Sequence, residues 1–139
     1  MKNIKQFKLK DNLECIRFLD TKKEKFELEF NLEQGTSFNT FFAVEDDCLI
    51  IIHPPETNNF DSFLKITQTY IEKFIPKKIN IITGHINPKI VDTIKKLNNY
   101  FNNLMLTSSV PGKKLICELW EQKKPGEKDK LAVKLPEIN

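Results

Sequence analysis

The chain has 139 residues, 40% of them hydrophobic, and its 22 basic against 19 acidic residues leave a net charge of +3. That size and composition fit a single ordinary globular domain, 1–139, with a real core, and the near balance of charge argues against a nucleic-acid surface. No run reaches the about 18 apolar residues of a membrane span, and Met1 to Phe7 lacks an apolar signal core, so we expect a cytoplasmic protein. The three cysteines, Cys15, Cys48 and Cys117, are odd in number and far apart, which fits reduced thiols better than a disulfide framework.

In chain order, residues 1–25 hold at most one clear strand, at 15–19. Phe26-Glu27-Leu28-Glu29-Phe30 alternates apolar and charged residues, as a half-buried strand does. Gln34-Gly35-Thr36-Ser37 punctuates the chain, and a second strand follows over 38–44. After the charged turn Glu45-Asp46-Asp47, the continuous apolar run 48–52 predicts a strand covered on both faces. Pro54-Pro55 ends it. Asn58 or Asn59 can cap a helix running to about Phe74, with Phe60, Phe63, Leu64, Ile66, Tyr70, Ile71 and Phe74 near helical spacing, and Pro76 stops it. A strand at 79–83 comes next. Pro88 suits the first turn of a second helix that buries Ile90, Val91, Ile94, Leu97, Tyr100 and Phe101. A strand at 104–107, a third helix after Ser108 or Ser109, a polar loop over 123–130 and a last strand at 131–135 complete the order. Antiparallel hairpins leading into a βαβ region predict an α/β protein with a mixed β-sheet.

The stretch Asn80-Ile81-Ile82-Thr83-Gly84-His85-Ile86-Asn87-Pro88-Lys89-Ile90 runs an apolar strand into a polar turn and then a helix. Beside it stand Gln34-Gly35-Thr36-Ser37-Phe38-Asn39-Thr40-Phe41-Phe42, Leu49-Ile50-Ile51-Ile52-His53-Pro54-Pro55-Glu56 and Ser108-Ser109-Val110-Pro111-Gly112. In order and spacing these segments resemble the N-terminal metallo-β-lactamase-like domain of the flavodiiron proteins, most closely the cyanobacterial branch, over roughly residues 26–122. The resemblance implies half of a metallo-β-lactamase-like αββα sandwich, in a family whose full-length members reduce dioxygen or nitric oxide at a di-iron site fed by FMN. It also implies a degenerate metal motif. His85 matches the first ligand histidine, whereas Asn87 stands at the glutamate, Lys89 at the aspartate and Ile90 at the second histidine. His53 replaces the aspartate of the family's strand end. Some cyanobacterial members look similarly substituted and are thought to act beside ligand-complete siblings.

Elementary coordination chemistry points the same way. Non-haem iron needs several imidazole and carboxylate ligands, and catalytic zinc needs three protein ligands and an open position. The chain has only His53 and His85 as histidines, and Lys89 would set a positive charge beside a dication. We therefore expect no catalytic residue, no metal and no cofactor. His85 and His53 are read as polar residues at strand ends, Lys89 as a solvated cation, Gly35-Thr36-Ser37 as a tight turn rather than a phosphate cradle, and Phe38, Phe41 and Phe42 as core.

The function expected is a non-catalytic, flavodiiron-derived domain acting through protein association, linked to oxygen or redox metabolism. The apolar sheet face that would meet the other half of a sandwich needs cover. A second copy (a homodimer), a flavodiiron-type partner, or rearranged residues of the chain itself would supply it. Two alternatives stand beside this one. A metal-dependent oxidoreductase or hydrolase could borrow ligands from another chain, and a small anion or nucleotide binder could use Gly84 to Lys89 at the helix start.

Overall fold

The computed structural model describes residues 3–20, 25–26, 30–31, 35–122 and 135–139. Its main sheet has seven strands: β1 (Ile4–Lys10), β2 (Leu13–Asp20), β5 (Thr36–Glu45), β6 (Cys48–Ile52), β7 (Lys78–Ile82), β8 (Leu104–Thr107) and β9 (Glu137–Ile138). They lie in the order β1-β2-β5-β6-β7-β8-β9. Two short strands, β3 (Lys25–Phe26) and β4 (Phe30–Asn31), pair separately. The helices are α1 (Phe60–Phe74), α2 (Pro88–Asn98) and α3 (Val110–Glu121).

The chirality of βαβ crossovers explains the layering. From β6 onward the strands are parallel and advance across the sheet in one direction, each joined to the next through a helix. Right-handed crossovers that always step the same way put every helix on the same face. Accordingly, one core cluster joins Phe42, Ile51, Ile79 and Leu106 of the sheet to Phe63 of α1, Ile94 and Leu97 of α2, and Ile116 and Trp120 of α3. The Phe42 ring sits 6.0 Å from that of Phe63 and stacks at 4.7 Å on that of Tyr70.

The run 48–52 departs from expectation. Leu49 and Ile51 are fully buried, but Cys48, Ile50 and Ile52 are only half-buried. Continuous hydrophobicity here marks a strand with helices on one face and a second apolar face turned away from them. Register carries that second face across the sheet: Phe7, Cys15, Phe41, Ile52, Ile82 and Thr107 form one row.

Other elements differ at the ends of the chain. Residues 1–25 hold a full antiparallel hairpin of β1 and β2 rather than one strand at 15–19. β1 is an exposed edge strand rich in lysine, so its hydrophobic signal is weak, and charged edges of that kind resist further pairing. Phe26 pairs antiparallel with Phe30, which excludes one continuous strand through both; residues 27–29 are outside the described set. Of the strand expected at 131–135, residues 131–134 are also outside it, and the described edge strand is Glu137–Ile138. α1 ends where expected, with Ile75 in the left-handed conformation at φ 48° just before Pro76. Asn59 occupies its N-cap position without a side-chain cap bond. At α3 the capping residue is Ser109, whose Oγ accepts from the Gly112 N–H at 3.2 Å.

Candidate functional site

The C-terminal ends of β6, β7 and β8 open on one edge of the sheet, and the residues singled out in the sequence gather there. β6 ends in His53, whose backbone is in the left-handed region at φ 55°. Its N–H donates to the Ile82 carbonyl at 3.0 Å, and its carbonyl accepts from Thr40 Oγ1 at 2.6 Å. These two bonds fix the turn, and they aim the imidazole over the β7–α2 loop. A Cβ placed on Gly84 would lie 2.2 Å from His53 Cε1, so a side chain there would have to push the imidazole aside. His85 follows on the exposed part of that loop.

Asn87 is the N-cap of α2. Its Oδ1 accepts from the Ile90 N–H at 2.9 Å, supplying one of the four amides that a helix start leaves without an internal partner. Its Nδ2 donates to Glu56 Oε1 at 3.2 Å. The other Glu56 oxygen lies 3.9 Å from Lys89 Nζ, and the Glu56 side chain is only 13% exposed. Thr57 Oγ1 then donates to the Lys89 carbonyl at 2.7 Å. The loop after β6 and the first turn of α2 are thus joined by one polar network centred on the Glu56 carboxylate. Lys89 is largely solvated, as expected, with its side chain 66% exposed and a loose pair to Glu56 at 3.9 Å. Ile90 is 2% exposed and packs in the helix-side core.

Glu56 is the participant that sequence reasoning did not single out. The available signal was a carboxylate directly after the strand-ending Pro54-Pro55, but nothing in the spacing of 56 and 87 announces that they meet.

This donor set does not fit the metal centre that the resemblance implies. Of the four motif positions, one holds an imidazole, one an amide already bonded on both sides, one an ammonium and one a core hydrocarbon. Three or more basic ligands converging on a point are needed for zinc or non-haem iron. Among the described residues no group of three His, Cys, Asp or Glu side chains is placed to hold a metal ion. The first turn of α2 is likewise supplied from within, by the Asn87 cap and the Glu56–Lys89 pair, which weakens the case for an anion at that helix start.

A second polar cluster lies away from this edge. Tyr70 of α1 donates its hydroxyl to Glu14 Oε2 on β2, and Gln6 Nε2 donates to the same oxygen. The Tyr70 hydroxyl and then Gln6 hold the Glu14 carboxyl below its ordinary range. Burial first, and then the bond to Glu14, push the Tyr70 hydroxyl well up, so the phenol stays protonated and the carboxylate charged. The geometry is a fastening of α1 to the β1–β2 hairpin.

No protein-family model matches the sequence. Diflavin flavoprotein A 5 of Nostoc is 30% identical over 102 residues, which are 72% of this chain and 17% of that protein. The chain therefore spans about a sixth of the length of this curated relative. The metal-soaked Flv1 flavodiiron core from Synechocystis superposes on 99% of this chain and 31% of its own, with a TM-score of 0.77 and 19% identity. The mono-zinc form of a metallo-β-lactamase from Erythrobacter litoralis superposes on 80% of this chain and 46% of its own, with a TM-score of 0.56 and 10% identity.

Proposed function

We infer that this chain, a homologue of the diflavin flavoproteins with the metallo-β-lactamase-like fold of a flavodiiron core, is a non-catalytic domain that acts through protein association. One observation carries the inference. The residues at three of the four motif positions each serve the fold, since Asn87 caps α2, Lys89 pairs with Glu56, and Ile90 fills the core. The Lys89 ammonium and the Ile90 side chain have no lone pair to give a metal, and the Asn87 oxygen is a neutral donor already accepting from the Ile90 amide. The partner is a second copy or a flavodiiron-type protein, and the tie to oxygen or redox metabolism rests on the relatives. The compartment is the cytoplasm, in keeping with free thiols at Cys15, Cys48 and Cys117. Among the described residues no helix is long and apolar enough to cross a membrane.

The test is metal content. The protein is produced in medium supplemented with iron and zinc, and bound metal is counted by plasma mass spectrometry. We expect substoichiometric metal that His85→Ala does not change. Near-stoichiometric iron or zinc abolished by His85→Ala would establish a working centre and overturn the proposal.

A further inference from the structure

We propose that the outer edge of β1 is a binding site for an extended, acidic segment of another protein, which joins the sheet as an added strand along residues 4–8. The proposal rests on the association reading above and gives its partner a chemistry. β1 lies at the end of the sheet, so among the described residues it has a neighbouring strand on one side only. Register fixes which of its backbone groups face outward. In an antiparallel pair, alternate residues turn both their N–H and their C=O toward the same neighbour. The Leu19 N–H donates to the Asn3 carbonyl at 2.7 Å, and the pairs Lys5↔Arg17 and Phe7↔Cys15 follow in the same phase. The other side of β2 agrees. There the Val44 N–H donates to the Asn12 carbonyl at 3.1 Å, which assigns the even-numbered residues of β2 to β5 and leaves the odd-numbered ones to β1. Asn3, Lys5 and Phe7 therefore bond inward, whereas Ile4, Gln6 and Lys8 each hold out an N–H donor and a carbonyl acceptor.

The partner's chemistry follows from what flanks these groups. β1 carries Lys5, Lys8 and Lys10 and no acidic residue. Lys5 shares its row with Arg17, and Phe7, 39% exposed, lies further along the same face with the Arg17 guanidinium 5.3 Å from its ring. Lys8 stands on the helix side, in the row of Glu14. It pairs with Asp11 at 3.4 Å, but both side chains are largely exposed and such a pair holds little. A second copy of β1 would gather the lysines of both strands along one seam. The edge that repels its own kind accepts a strand with carboxylates opposite Lys5 and Lys8 and an apolar side chain opposite Phe7. A nucleic acid fits less well, because phosphates satisfy the outward donors and offer nothing to the outward carbonyls. The edge is also held ready. Gln6 Nε2 and the Tyr70 hydroxyl both bond Glu14, tying β1 through β2 to α1, so little order is lost when a strand is added. The irregularity of register between Lys8 and Lys10 ends the docking stretch.

The probe is a capped peptide containing Glu-Val-Thr-Glu-Val, which in antiparallel pairing sets its glutamates opposite Lys8 and Lys5 and a valine opposite Phe7. Amide hydrogen exchange of the full chain is followed residue by residue by NMR. We expect the peptide to slow exchange at Ile4, Gln6 and Lys8, whose amides face outward, while Lys5 and Phe7, already in the ladder, change little. Lys5→Glu together with Lys8→Glu weakens binding at least about tenfold, leaves the amide spectrum elsewhere unperturbed, and transfers binding to the peptide Lys-Val-Thr-Lys-Val. A probe with alternate amides N-methylated keeps its charges but cannot pair with an edge, and it should not bind. Equal binding by the methylated probe would mean charge attraction alone and overturn strand addition. No protection at about 1 mM probe overturns the proposal, as does a double variant that keeps full affinity. Tighter binding of a single-stranded oligonucleotide at the same lysines would assign the edge to nucleic acid and overturn it too. These outcomes bear on the edge and its partner, whereas the non-catalytic reading is decided separately, by metal content.

Discussion

Replacing Asn87 tests whether this position serves the fold. In Asn87→Ala two interactions go. The N-cap bond to the Ile90 amide costs about 1 kcal/mol, and the bond from Nδ2 to the largely buried Glu56 carboxylate costs about 1.5 kcal/mol, since hydrogen bonds to charged groups exceed neutral ones. For 139 residues the unfolding entropy near the midpoint is about 290 cal/mol/K, so a loss of about 2.5 kcal/mol lowers Tm by about 9 °C. Asn87→Ser keeps the cap, loses only the Glu56 bond, and should fall by about 5 °C. Asn87→Glu restores the residue of the metal motif, but it brings a second carboxylate against Glu56 without a donor, so its loss should equal or exceed that of Asn87→Ala. Calorimetry with and without added iron or zinc measures all three. If Asn87→Glu were as stable as the parent and gained further stability from the metal, the position would be a ligand site and the reasoning would fail.

Three further outcomes follow from the same contacts. Ile90→His puts an imidazole at a 2% exposed core position and should cost about 2–4 kcal/mol in urea unfolding; a measured increase in metal affinity instead would contradict the core assignment. Gly84→Ala drives a methyl into the His53 ring and should cost about 1–3 kcal/mol, but in a His53→Gly background, which removes both the ring and the left-handed strain, its cost should nearly vanish. Tyr70→Phe should lose about 1.5 kcal/mol at neutral pH. Because the folded Glu14 value is lowered, its contribution is present above the ordinary carboxylate range and disappears as pH falls through the lowered value, so Tyr70→Phe should also flatten the acid limb of the stability profile. An unchanged acid limb would show that Glu14 does not depend on Tyr70.

The parallel half of the fold was legible because each signal there is local. Pro88 at the first turn of α2, the helical spacing of Phe60 to Phe74, and the apolar runs of β6 to β8 name their elements without reference to anything distant. The β1–β2 hairpin was not, because an edge strand exposed along its length has almost no apolar pattern to read. The half-covered state of β6 was misread for the complementary reason. Ile50 and Ile52 are as apolar as Leu49 and Ile51, and only the common side of all three helices distinguishes the two sets. At the candidate site the contact between Asn87 and Glu56 was not legible, since the two lie 31 positions apart and meet only through the tertiary fold.

The polar network also explains how this loop keeps its shape with so few ligands. In a metal-binding frame of the kind the resemblance implies, a bound cation would hold the strand end and the helix start together while neutralising the carboxylates between them. Here the strand-end loop contributes a carboxylate, Glu56, and the helix start contributes a cation on a tether, Lys89, together with an amide donor, Asn87. The charge balance is met by a side chain, and Ile90 adds hydrophobic burial where a coordinating imidazole would bring none. Asn87 and Lys89 both act on Glu56, one through a hydrogen bond and one through a charge pair. Coupling of that kind should appear as non-additivity between Asn87→Ala and Lys89→Ala in a double-mutant cycle, because both act on the same carboxylate, whereas a set of unrelated drifted positions would add independently.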